Sequence, residues 1–126
     1  MPNPVERMAG HRCADAREAA REVLCGLGVG PRAFDDVLTV VAELVSNAIR
    51  HAGGVTGFRI RPLPEAVAVE VSDASPRLPS SPGTPASVPG GFGWLLVRKL
   101  AQRTDIRTGR EGKTITAYLP LTAPAM

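Results

Sequence analysis

The chain has 126 residues, with 15 Lys+Arg against 12 Asp+Glu and 44% hydrophobic residues. That length suits one domain able to bury roughly two-thirds of its unfolded surface, so it needs no staples to fold. The net charge of +3 rests on thirteen arginines scattered from Arg7 to Arg110 and never in a run. A nucleic-acid face normally clusters its cations, so direct nucleic-acid binding is not expected.

The first eleven residues lack a pattern and are expected to be loose; residues 12–122 read as the single domain. From Asp15 to Leu27, the residues Ala16, Ala20, Val23, Leu24 and Leu27 trace a helical stripe. Cys13 and Cys25 fall within this first helix, about 18 Å apart at 1.5 Å per residue, too far for a disulfide. His11 and His51 are too isolated to build a metal site. A second helix runs from about Pro31 to His51, with proline in its first turn and Gly53-Gly54 past its end. A strand follows at Gly57 to Arg61, with Phe58 and Ile60 on one face and Arg59 and Arg61 on the other. "RPLPEA" reads as a turn. "AVAVEVSD" alternates, placing Val67, Val69 and Val71 on a shared face.

Between Ser75 and Gly91 stand five prolines, which exclude a helix or a central strand. A long loop at 74–90 inside a compact domain suggests a functional lid or a disordered patch. "GGFGWLLVRKLAQR" reads as a third helix, with Trp94, Val97, Leu100 and Ala101 largely on one side. "DIRTG" and "KTITAYLP" close the chain as strands, the second with Ile115, Ala117 and Leu119 on one face. The expected architecture is α+β: a two-layer sandwich of a mainly antiparallel mixed sheet with about three helices on one face. No signal peptide and no 18-residue apolar run occurs, so a cytoplasmic protein without membrane contact is expected.

Three places could carry chemistry. On a helical wheel with Val37 at zero, the apolar stripe of the second helix spans roughly 300° through 120°. Glu43 falls near about 240°, Asn47 near about 280° and His51 near about 320°, along one border of that stripe. Such a border lets a carboxylate stay charged while facing a cleft, although border residues are also polar simply because they are half exposed. Asp73 continues the inward parity of Val67, Val69 and Val71, and a lone buried charge needs a partner. A ligand donor, a nearby arginine or a turn amide could each supply it. The glycines of Gly90-Gly91-Phe92-Gly93 precede a helix whose first N–H groups form a ready anion site, although a hinge without a ligand explains a lone glycine cluster as well.

Two motifs mislead. "GREGKT" has the tail of a phosphate-binding loop, but Arg107 stands where its first glycine belongs and a strand follows instead of a helix. "GLGVG" follows a helix, so it is no dinucleotide fingerprint.

Together these segments resemble the ATP-binding fold shared by gyrase, histidine kinases and MutL (the Bergerat fold), and most of all its small anti-sigma-factor serine kinases. "ELVSNAIRH" is similar to their N box, "VEVSDASPRLP" to the first glycine box, "GGFGWLLVRKLA" to the second, and "GKTITAYLPL" to the closing strand. The resemblance implies that Asn47 coordinates a Mg²⁺ bridging the ATP phosphates and that Glu43 is the general base. It implies further that Asp73 accepts a hydrogen bond from the adenine amino group. Gly91 and Gly93 would admit the phosphates to the third helix, and Thr114 would contact adenine through water. Implied partners are a sigma factor or similar regulator and an anti-anti-sigma-type protein whose serine is phosphorylated; relatives often form homodimers.

The first glycine box departs from the family pattern: Ser75 and Arg77 stand where its glycines fall. Arg77 is no backbone-permissive substitute; it could reach a phosphate or project into solvent. That departure supports an alternative, a protein-interaction module that binds nucleotide without turning it over.

Overall fold

The structure, a computed structural model, describes residues 13–77 and 91–121. The expected loose N-terminus and most of the expected lid, residues 78–90, lie outside the described residues. Helix α1 spans Cys13–Leu27 and α2 spans Pro31–Ala52, followed by strands β1 (Val55–Leu63) and β2 (Ala66–Asp73). Helix α3 (Gly91–Leu100) precedes β3 (Arg103–Gly109) and β4 (Gly112–Pro120).

Helix α2 begins where Pro31, with its preset φ, follows the extended Gly30. It stops at Gly53, whose φ of 78° is left-handed, while the Gly54 amide donates back to the Ala48 carbonyl at 3.0 Å. Only glycine enters that conformation without a steric penalty, so the pair fixes the last turn. The apolar stripe of α2 is buried from Val37 to Ala48, but Ile49, at the margin of the wheel, is 44% exposed.

The four strands are ordered β1-β2-β4-β3. All three pairings among the described residues are antiparallel, so no parallel pair there makes the sheet mixed. β1 is longer than its sequence suggests, running on through Pro62 to Leu63 and leaving only Pro64 and Glu65 as the turn. A proline is tolerated there because β1 is an edge strand and one of its sides needs no donors. Glu65 takes a φ of 60° in the turn.

Strand alternation sorts the sheet into two faces. Phe58, Ile60, Val67, Val69, Val71, Ile115, Ala117 and Leu119 pack into one core with Leu24, Leu44, Val45, Trp94 and Val97 of the three helices. All three helices therefore cover the same face. The opposite face holds Ala68 and Thr116, both buried, together with long charged side chains. There Arg61 bonds Glu70 at 2.8 Å, Arg107 meets Asp105 at 3.5 Å, and Arg103 lies 4.2 Å over the Tyr118 ring. Arginines dispersed along the sequence are thus collected on one sheet surface by the two-residue repeat. Cys13 and Cys25 are both free, and Cys13 packs against the core.

Candidate functional site: a helix cradle and a charged strand end

Helical spacing puts Glu43 and Asn47 one turn apart on α2, where that helix packs against α3. Gly93 of α3 is the point of contact. A Cβ built there would overlap the Glu43 carboxylate and lie 3.9 Å from Asn47 Oδ1. Two stretches 46 residues apart, the N-box-like helix and the glycine-rich helix start, are therefore brought together by the fold. Only a residue without a side chain leaves the Glu43 carboxylate its present position.

Asn47 Oδ1 is buried and has no hydrogen-bond partner among the described residues. A buried carbonyl oxygen left unpaired carries a penalty of about 1–3 kcal/mol. Such an atom is suited to a hard cation such as Mg²⁺, which takes oxygen ligands and keeps several waters beside substrate phosphates. Gly91 opens α3, so free N–H groups of its first turn stand at the same end of the helix as Gly93.

At the far end of β2, Asp73 is 5% exposed, as its inward parity predicts. Its partners are internal. Asp73 Oδ1 accepts the Ser75 amide at 2.9 Å and the Lys113 ammonium at 3.0 Å, and Oδ2 lies 3.0 Å from the same Lys113 Nζ. Lys113 also donates to the Ser75 carbonyl at 3.0 Å. Asp73 and Lys113 are cross-strand partners, which places both side chains on the helix-facing side. The turn amide was among the partners open from sequence; the lysine was not.

Ser75 and Arg77 occupy the places of the family's glycines without left-handed backbone, since Glu65 is the only described non-glycine residue with positive φ. Ser75 Oγ accepts the Arg77 amide at 3.2 Å, and the Arg77 side chain is exposed. Side-chain hydrogen bonds replace glycine's conformational freedom in this turn. Gly112, by contrast, is irreplaceable: its φ is 136°, and a Cβ there would overlap the Asp73 carbonyl and stand 2.8 Å from Ala74 Cα.

Thr114 is not brought to Asp73. It lies opposite Ser72 on the other face of the sheet, with 2.7 Å between the two hydroxyl oxygens. His51 is exposed at the end of α2. An open cavity of about 400 Å³ borders Asp73, Lys113, Ser72, Thr114 and Arg107; neither Glu43 nor Asn47 is among its lining residues.

With this geometry in view, residues 9–119 match the model of the histidine kinase-like ATPase domain, and the chain belongs to that family. No curated protein matches it. Among solved structures it is similar to the RsbU and RsbW domains of Rv1364c from Mycobacterium tuberculosis, at 20% identity and a TM-score of 0.71. That likeness covers 99% of this chain and 34% of the other. It is also similar to the blue-light activated histidine kinase EL346 of Erythrobacter litoralis, at 22% identity and a TM-score of 0.54, over 74% of this chain and 32% of that one. The histidine kinase domain of the same protein aligns at 17% identity and a TM-score of 0.55, covering 96% and 65%. The chain thus spans about a third of the first two structures. Fold and family are those of an ATP-binding, kinase-like domain. No helix among the described residues is long and apolar enough to cross a membrane.

Proposed function

We propose that the chain is an ATP/Mg²⁺-binding regulatory serine/threonine kinase. It would hold a sigma factor or similar transcription regulator and release it by phosphorylating a serine on an anti-anti-sigma-type antagonist. The observation that carries this reading is the cradle on α2. The buried Asn47 oxygen, without a partner among the described residues, and the Glu43 carboxylate converge on the position of Gly93.

Asn47 Oδ1 would be a ligand to Mg²⁺, and the ion, when bound, neutralises charge on the ATP phosphates. Glu43, one helical turn away, would take the proton from the attacking serine hydroxyl. Residues Gly91 and Gly93 would offer the phosphates the free N–H groups of the first turn of α3. Phosphoryl transfer needs mainly positioning and charge stabilisation, which this set of groups would supply. Asp73 would accept the adenine amino group; Thr114 is turned to the other face of the sheet, beside Ser72.

A second reading, a nucleotide-binding interaction module without turnover, draws support from the bonds that tie residues 73–77 in place of the family's glycines. Calorimetry with ATP, with and without Mg²⁺, tests both readings, and absence of binding removes both. Phosphate transfer to a serine-bearing partner separates them. A Glu43→Ala variant that binds ATP but still transfers at the normal rate would refute the base assignment.

A further inference from the structure

We propose that Lys113 is a specificity-determining residue of the base site, acting through Asp73 to exclude guanine. The inference rests on the reading of Asp73 as the base acceptor. A carboxylate has about four acceptor positions, two on the edge shared by both oxygens and one on the outer side of each. The Lys113 ammonium lies 3.0 Å from both oxygens, so it occupies the shared edge. The Ser75 amide takes a further position on Oδ1. One acceptor position, on Oδ2, is left unfilled among the described residues.

A single remaining position suits a single N–H donor, which the exocyclic amino group of adenine provides. Guanine presents two adjacent donors, N1–H and the 2-amino group, and pairs with a carboxylate through its shared edge. That edge is filled by Lys113. The lysine has little freedom to leave: it hydrogen-bonds Asp73 Oδ1 and the Ser75 carbonyl, stays in ion-pair contact with Oδ2, and its side chain is 7% exposed. Both residues are among those that border the open cavity at the strand end.

The test compares ATP and GTP affinities by calorimetry for the wild-type chain and for Lys113→Met and Lys113→Gln. Glutamine is included because its amide still donates to one Asp73 oxygen, which protects folding while opening the shared edge; circular dichroism checks the fold of each. The wild type is expected to prefer ATP by at least about tenfold, and the variants to narrow that ratio by about tenfold through tighter GTP binding, with ATP binding retained. A merely structural lysine would weaken both nucleotides together. An unchanged ratio in a folded variant overturns the proposal, as does a wild type that binds GTP as well as ATP. A wild type that binds neither nucleotide removes the ATP reading itself and this inference with it.

Discussion

Replacing Gly93 with alanine separates catalysis from folding more cleanly than removing Glu43. The new methyl overlaps the Glu43 carboxylate, the far end of a flexible side chain. The carboxylate has to retreat by about 1 Å to regain van der Waals distance. The backbone does not have to move, so overpacking falls at or below the low end of its usual range of about 1–3 kcal/mol. Alanine is also about 0.8–1 kcal/mol better than glycine within a helix. The two effects nearly cancel, and the urea midpoint should stay within the equivalent of about 1 kcal/mol of wild type. Catalysis has no such compensation: a displacement of about 1 Å can lower the rate by about 10²-fold. Single-turnover ATP consumption with Mg²⁺ should fall by that order while the unfolding curve barely shifts. A variant with wild-type turnover would refute the placement of Glu43 as the base. A loss of several kcal/mol would refute the view that only a flexible side chain opposes the methyl.

Other perturbations have different signatures. Asn47→Ala removes a buried acceptor that has no partner among the described residues, so the folded state should gain up to about 1 kcal/mol while Mg²⁺-dependent ATP binding disappears in calorimetry. Asp73→Ala leaves the Lys113 ammonium buried without its carboxylate and should lower stability by about 3–5 kcal/mol in urea titration; a loss below about 1 kcal/mol would show the pair to be dispensable. Gly112→Ala meets backbone atoms of Asp73 and Ala74 in a conformation disfavoured for side chains, so it should destabilise by more than about 3 kcal/mol or prevent folding, as judged by circular dichroism.

Much of the fold was legible because two periodicities dominate the sequence. The 3.6-residue repeat of α2 located its buried stripe and set Glu43 and Asn47 on its border, and the two-residue repeat of β2 aimed Asp73 inward. Lys113 was missed although its signal was present. It continues the inward row of Ile115, Ala117 and Leu119 to the start of β4, as Asp73 continues its own row to the end of β2. Two inward charges of opposite sign at the paired ends of antiparallel neighbours are natural partners. The same parity turns Thr114 to the other face, beside Ser72. The close approach of Gly93 to Glu43 was beyond reach from local pattern, because it depends on how α2 and α3 cross. The extension of β1 through Pro62 depended on sheet order, which no local pattern states.

That sheet order has a consequence for how copies of the chain meet. Among the described residues the four-stranded open sheet has two edges, each a template for recruiting another strand. On β1, Pro62 lacks the N–H that a docking strand would need. On β3, Arg103, Asp105 and Arg107 project as an alternating row of charge. Neither border is a ready place for a foreign strand to extend the ladder. The sheet is thus guarded at both margins against runaway growth into fibrils, and any ordered self-association is steered toward faces and helices.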